Sequence, residues 1–133
     1  LAAWATMADS EQLSVRLRLI DAELGSLLLE HGDGVLGRVD ASAFAGGWLV
    51  SWVGAAADQQ SAVKIATLNA DLSGARPLAL TTVPRNRNVG MPRQAALGDV
   101  AMLLWTEVVE GQKDARGRAQ TRLAGMRISP AER

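Results

Sequence analysis

Three tryptophans recur along the chain at nearly equal intervals, and each one closes a short apolar stretch. Trp4, Trp52 and Trp105 lie 48 and 53 residues apart, at the ends of the segments LAAW, LVSW and MLLW. The residues that follow repeat as well, because 15–25 has nearly the same order of apolar, basic and acidic residues as 63–73. A repeat of this length indicates an array of one supersecondary unit, in which each unit covers the apolar surface of its neighbour.

The third copy of the repeat is longer than the others. Residues 121–126 match residues 63–68 at a spacing of 58, which predicts five extra residues in the polar stretch 109–120. We expect the charged run 110–122 to form a solvated hairpin loop. Gly37 and Gly90 each stand 15 residues before a tryptophan, and a glycine-containing turn follows each segment. This arrangement predicts a β-hairpin whose second strand carries the tryptophan.

One full unit contains four predicted strands, which are separated by turns. They are 27–30, 38–44, 48–53 and 63–68, and the next unit begins with 78–81. Four short strands in a unit of this length are typical of a β-propeller blade. We therefore predict an all-β chain of antiparallel four-stranded blades over 1–133, with repeat units at 1–25 (partial), 26–74 and 75–129. Since propellers close with typically four to eight blades, this is an incomplete ring.

A helix is the competing prediction for the first unit. Ser10 is a good cap, and an apolar stripe with helical spacing follows it at Leu13, Leu17, Ile20, Leu24 and Leu28. The repeat favours a strand instead, because the matching residues 63–72 are rich in β-branched side chains. A strand also explains why Arg16 and Arg18 alternate with apolar residues.

Composition excludes several classes of function. The chain has 14 basic and 14 acidic residues, so it lacks the positive charge typical of a nucleic-acid binder. It has no cysteine, and therefore neither a disulfide nor a zinc–thiolate site. The longest uncharged and mostly apolar run, 44–57, is shorter than the ~20 residues that a membrane-spanning helix needs. The chain starts at Leu1 without a visible signal peptide, which suggests a fragment or a processed product.

The unit resembles the blades of bacterial sialidase-like propellers, also called BNR-repeat propellers. The resemblance rests on Gly-Met-Pro-Arg at 90–93 with the strand 102–107, on Val-x-Ile-Ala-x-Leu at 63–68, and on Asp-Leu-Ser-Gly at 71–74. It covers about 35–129, and it implies a propeller fold and an extracytoplasmic location, in the periplasm or on the cell surface.

Sialidases of this family bind a sugar carboxylate with three arginines and attack with a tyrosine that a glutamate activates. This chain has no tyrosine, and it lacks the Ser-x-Asp-x-Gly-x-x-Trp box that marks many such blades. We therefore predict no catalytic residue in this chain and no cofactor. The expected function is a structural or interaction module that binds a protein or glycan partner. The alternative is a fragment of a glycan-acting hydrolase whose catalytic residues lie elsewhere. The expected partners include the remaining blades of the same propeller or another subunit.

Four residues are candidate ligand contacts. Arg85, Arg87 and Arg93 belong to an arginine-rich, asparagine-containing region, where guanidinium groups could hold a carboxylate or a sulfate. The alternative is a solvated loop, with Arg93 paired to an acid of the neighbouring blade. Trp48 has no counterpart in the next unit, where Ala101 stands, so its ring is free to face a ligand. Packing at a core or an edge is the alternative for Trp48.

Two further residues have structural explanations. Asp40 occupies the repeat position of Arg93, and the two opposite charges could meet between neighbouring units. His31 lies in the turn sequence His-Gly-Asp-Gly without the further ligands that a metal site needs, so we predict no metal site.

Overall fold

The computed structural model describes residues 1–7, 12–20, 26–85 and 89–130, and regular structure in these ranges consists of β-strands. The ten strands are β1 (Ala2–Met7), β2 (Leu13–Arg18), β3 (Leu27–Gly32), β4 (Gly37–Phe44), β5 (Gly47–Ala55), β6 (Ser61–Leu68), β7 (Arg76–Val83), β8 (Gly90–Leu97), β9 (Val100–Lys113) and β10 (Ala119–Ile128). The prediction of an all-β chain is confirmed. No helix in these ranges is long and apolar enough to cross a membrane.

The helix considered for the first unit is wrong where the structure describes it. Residues Leu13–Arg18 form strand β2, in which Val15 and Leu17 are fully buried while Arg18 is exposed. The alternation of apolar and basic residues therefore prevails over the helical spacing of the leucines. Ser10 and Leu24 lie outside the described residues.

The strands form three antiparallel meanders. The first sheet has the order β1-β2-β3, the second β4-β5-β6-β7 and the third β8-β9-β10. The predicted strands of the full unit all lie within β3–β7, but the sheets begin one strand later than the sequence unit. β3 pairs with β2, whereas β4 pairs with β5 and starts the second sheet. The expectation that the four strands of unit 26–74 form one sheet is therefore wrong, because that unit spans two sheets.

The second sheet is packed on both faces. We call the face toward the first sheet its back face and the face toward the third sheet its front face. Val50 and Trp52 on the back face pack with Val15 and Leu17 of the first sheet. The front face packs against Ala101, Leu103 and Trp105 of the third sheet, and its contributors are Phe44, Leu49, Val53, Val63 and Ile65. Trp52 and Trp105 are thus core residues between sheets.

Two glycines bring neighbouring sheets close together in the same way. Gly37 and Gly90 open β4 and β8 with φ angles of 71° and 80°, which L residues rarely adopt. A Cβ on Gly37 would lie 2.6 Å from the Ala5 Cβ, and one on Gly90 would lie 2.7 Å from the Val53 Cγ2. Since Ala5 and Val53 are themselves 48 residues apart, the sequence repeat is also a repeat of sheet-to-sheet geometry.

The extra residues of the third unit lengthen its hairpin. β9 runs to Lys113 and β10 begins at Ala119, so most of the predicted loop 110–122 is strand. Cross-strand pairing matches Leu123 with Thr106, as Val63 pairs with Val53 in the second sheet. The spacing between equivalent sheet positions is therefore 60 rather than 58. A shift of two residues leaves each side chain on the same face, because side chains alternate along a strand.

Candidate docking site

The front face of the third sheet carries four exposed apolar side chains. Leu97, Met102, Leu104 and Leu123 are 87%, 47%, 39% and 66% exposed, and we call these four residues the front patch. Strand pairing places them on one face: Leu97 pairs with Val100, which lies two residues before Met102, and Leu123 pairs with Thr106, two residues after Leu104. The opposite face of the same strands, with Ala101, is buried against the second sheet.

The same positions are covered in the second sheet. By cross-strand pairing, the front patch corresponds to Phe44, Leu49, Ser51 and Val63. Three of these are fully buried and Phe44 is 6% exposed, because the third sheet packs over them. The front patch therefore occupies, in the third sheet, the positions that the next sheet buries in the second sheet.

Contacts between the first and second sheets centre on one carboxylate. Glu30 of β3 accepts a hydrogen bond from Trp52 Nε1 at 2.5 Å and one from the Ala55 backbone N–H at 3.0 Å. Lys64 Nζ lies 2.7 Å from the Glu30 Oε1, and both side chains are largely buried, at 19% and 15% exposed. Gly54 leaves room for this carboxylate, because a Cβ there would lie 2.0 Å from the Glu30 Oε2. One acid thus satisfies the indole and the ammonium of the neighbouring sheet.

The third sheet contains a related cluster, in which the acid comes from the same strand as the tryptophan and not from a neighbouring sheet. Trp105 Nε1 donates to Glu107 of the same strand at 2.9 Å, and Arg122 of β10 donates to the other carboxylate oxygen from Nε and Nη2 at 3.1 and 3.0 Å. The indole hydrogen bond and the guanidinium lower the pKa of Glu107, against the opposing effect of its partial burial. Each buried tryptophan of the repeat therefore donates to a glutamate that also binds a base.

The second and third sheets are joined by polar contacts near their first strands. Asp40 accepts a hydrogen bond from the Gln94 backbone N–H at 2.9 Å. The Gln94 side chain donates to Ser42 Oγ at 2.8 Å and to the Leu49 carbonyl at 2.7 Å. The expected meeting of Asp40 with Arg93 takes a different form: Asp40 binds the backbone next to Arg93, and within the described ranges Arg93 forms no ion pair.

The candidate ligand residues lie on different parts of the molecule. Arg93 is exposed on the front face of the third sheet, beside the front patch. Arg85 is exposed just after β7, and Arg87 lies outside the described residues. Trp48 lies on the back face of the second sheet, so two packed sheets separate its face from that of Arg93. Among the described residues the structure therefore does not gather these candidates into one site.

Trp48 instead borders a cleft of its own. The indole packs partly against the core and donates from Nε1 to the Ala70 carbonyl at 3.1 Å, which fixes the ring. The cleft has a volume of about 450 Å³, and Arg76 and Asn69 contribute its polar groups. Its remaining lining residues are Phe44, Ala45, Thr67, Leu68, Gly74 and Pro130.

His31 has a protein partner. Its Nδ1 lies 3.0 Å from the Ser14 hydroxyl, across the strand pair β2–β3. In the ranges that the structure describes, no group of three histidine or acidic residues is arranged to hold a metal ion.

Sequence reasoning missed Glu30, which is the central residue of the first interface. The repeat offered only half of the signal, because Arg16 and Lys64 occupy equivalent positions 48 residues apart and each lies directly across from a tryptophan. A base beside a tryptophan on a buried strand implies a nearby acid. The acid itself has no counterpart in the repeat, since Leu78 stands 48 residues after Glu30.

Comparison of the chain with family models, with curated proteins and with solved structures yields no match.

Proposed function

We propose that this chain is a non-catalytic module of the β-propeller type, whose role is to stack its sheets against further sheets of the same kind. The observation that carries the proposal is the front patch. Its equivalents in the second sheet are buried by the next sheet, and a monomeric protein seldom leaves a contiguous leucine-rich face uncovered. The partner would be a neighbouring blade, supplied either by the same polypeptide or by another subunit.

The repeat geometry supports the propeller as the architecture. Each sheet is an antiparallel meander, and the first strand of each sheet after the first approaches the preceding sheet through a glycine with positive φ. Propellers arrange such meanders around an axis, with their first strands innermost. The resemblance to sialidase-like blades implies the same architecture and an extracytoplasmic location, in the periplasm or on the cell surface.

The front patch can be tested by measuring self-association. We expect the wild-type chain to associate reversibly as its concentration rises in sedimentation velocity, because exposed leucines drive association when no other sheet covers them. Replacing Leu104 and Leu123 by lysine should reduce that association and the binding of a hydrophobic dye. The matched control is Leu78→Lys, since Leu78 is 58% exposed but lies outside the patch. A wild-type chain that stays monomeric and binds no dye would contradict the proposal.

The Trp48 cleft supports a second candidate, a glycan site in the same module. An aromatic ring whose orientation is fixed by a hydrogen bond, next to an arginine and an amide, offers the apolar and polar groups that small-ligand clefts combine. An acidic oligosaccharide should then quench tryptophan fluorescence in the wild-type chain. The quenching should be lost in Trp48→Phe combined with Arg76→Gln, whereas Arg116→Gln, which changes an exposed arginine in the turn between β9 and β10 outside the cleft lining, should leave it unchanged.

A further inference from the structure

Among the described residues, the back face of the first sheet presents hydrogen-bond donors without an acid. Trp4 lies directly across from Arg16, and Thr6 lies across from Ser14, so the indole, the hydroxyl and the guanidinium share one face. Trp4 is half-buried, and within the described ranges its Nε1 has no hydrogen-bond partner. Arg16 Nη1 donates to the Ser26 hydroxyl at 3.1 Å, and in the same ranges Arg16 forms no ion pair.

In the second sheet, the equivalent pair of residues binds a carboxylate. Trp52 and Lys64 lie across from each other in the same register as Trp4 and Arg16, and the Glu30 carboxylate of the neighbouring sheet binds both. The third sheet reaches an equivalent result with Glu107, which binds Trp105 and Arg122. Two of the three tryptophan–base pairs therefore hold a carboxylate, and the chemistry of the remaining pair is the same.

We propose that the back face of the first sheet is a docking surface for an apolar β-sheet that carries a carboxylate on its outer strand, which Trp4 and Arg16 bind as Trp52 and Lys64 bind Glu30. This inference rests on the proposed function, since it names the chemistry of one stacking partner. The carboxylate would accept from Trp4 Nε1 and from the Arg16 guanidinium, in a charge-assisted pair.

One position adjusts the geometry of the site. Residues Thr6, Gly54 and Glu107 occupy the same place in the three sheets, two residues after each tryptophan. Glycine makes room for an acid from a neighbour, and glutamate supplies the acid itself. The Thr6 side chain, whose hydroxyl donates to the Met7 carbonyl at 3.5 Å, fills part of that space, so the incoming carboxylate would lie farther from the strand than Glu30 lies from Gly54.

Charge distinguishes this partner from a second copy of the chain. The face that a second copy would offer in a head-to-tail stack is the front patch, which is flanked by the exposed Arg93 and Arg127. None of the four front-patch residues is an acid, so Arg16 and Arg18 would be desolvated against leucines and would lie near two further arginines. An acid-bearing sheet is the complementary occupant.

The test uses the indole N–H signals of the intact chain in two-dimensional NMR, with the Trp4 signal assigned from a Trp4→Phe variant. The probe is a peptide with the sequence of β3, Leu27–Gly32, extended by a solubilising tail, and its control has glutamine in place of glutamate. We expect the glutamate peptide to shift the Trp4 signal in a saturable manner and the glutamine peptide to have little effect. Arg16→Gln should weaken binding about tenfold, which is the order expected for one charged hydrogen bond.

A blocking variant completes the test. Thr6→Glu should place a carboxylate on Trp4 from within the strand, as Glu107 does for Trp105, so the peptide should no longer bind. Unchanged Trp52 and Trp105 signals would show that each variant is folded. The inference is overturned if the Trp4 signal does not move, or moves equally with the glutamine peptide. The front-patch experiment reads out different residues, so either proposal can fail without the other.

Discussion

The two interfaces between sheets share their apolar framework and differ in their polar contacts. Both bury a tryptophan of the later sheet, and both bring a positive-φ glycine against the preceding sheet, at Gly37–Ala5 and at Gly90–Val53. The first interface is joined through Glu30, which lies on the outermost strand of its sheet. The second is joined near the first strands of its sheets, through Asp40 and Gln94.

The difference shows which residues of the repeat set the distance between neighbouring sheets and which residues determine the sheet that each one accepts as a neighbour. Apolar residues and glycines recur because any two neighbouring sheets must approach to the same distance and interlock. Polar contacts do not recur, because a buried charge or amide tolerates only the neighbour that satisfies it. The two interfaces therefore have the same apolar packing, but each has polar contacts that suit only its own pair of sheets.

The close approach at Gly90 should produce the largest effect on stability. Gly90→Ala must adopt a φ near 80° and must displace the fully buried Val53. Strain and overpacking together should lower the free energy of unfolding by about 2–4 kcal/mol in urea denaturation. Gly98→Ala is the matched control, since Gly98 also has positive φ (61°) but its Cβ would meet open space; it should cost about 1 kcal/mol. Equal losses would show that the shared glycine geometry does not hold the sheets together.

Removing the acid of the first interface should have the next largest effect. Glu30→Ala leaves Lys64 largely buried without a counter-charge and Trp52 without an acceptor. We expect a loss of about 2–3 kcal/mol, less than for a fully buried pair because both side chains retain some exposure. Glu107→Ala should cost about 1 kcal/mol, since its partner Arg122 is 68% exposed. If urea denaturation gives equal losses, an acid from a neighbouring sheet contributes no more to stability than an acid from the same strand as the tryptophan.

The acid of the third sheet should appear in the pH dependence of stability. The folded-state pKa of Glu107 lies below its ordinary value of 4.5, mainly because of the Trp105 hydrogen bond. Its contribution is present above the ordinary pKa and is lost as pH falls through the lower, folded-state pKa. The midpoint of urea unfolding should therefore fall less between about pH 5 and pH 3 in Glu107→Gln than in the wild type. If the midpoint falls equally in both proteins, Glu107 does not contribute to the pH dependence of stability.

The smallest expected effect concerns a buried hydroxyl in the second interface. Ser51 is fully buried, and in the part of the chain that the structure describes its Oγ has no hydrogen-bond partner. Ser51→Ala should therefore raise stability by about 0.5–1 kcal/mol, because an unsatisfied polar atom leaves the core. Ser61→Ala is the control, since the equally buried Ser61 donates to the Gly34 carbonyl at 2.7 Å and its loss should cost about 1 kcal/mol. Thermal unfolding of the two variants should shift in opposite directions.

The strands could be predicted from the sequence because alternation and the tryptophan repeat are local signals. The pairing of strands is not a local signal. The sequence of β3 is equally compatible with pairing to β2 or to β4, so the sheet boundary was misplaced by one strand. The extra length of the third hairpin was found, but the pairing of Leu123 with Thr106 differs by two residues from the alignment, and the register is irregular near Ala119.

The candidate sites were harder to predict because they depend on which faces meet. Trp48 and Arg93 are both candidate ligand contacts in the sequence, and side-chain alternation puts them on opposite sides of a packed pair of sheets. The front patch could have been found from the sequence, since Met102 and Leu104 repeat the positions of Leu49 and Ser51. Glu30 could not, because its role depends on reaching across to a different sheet.

The stack of sheets has a direction, and this determines how it can be completed. One end offers leucines and the other offers indole and guanidinium donors, so the two ends are different surfaces, and further sheets added as we propose would join head to tail. Head-to-tail addition regenerates an open end at every step. Such a series has a finite size only if the rotation between neighbours returns the last sheet to the first, or if a unit with a polar outer face terminates it. The angle between successive sheets thus decides between a closed assembly and an indefinitely growing fibre.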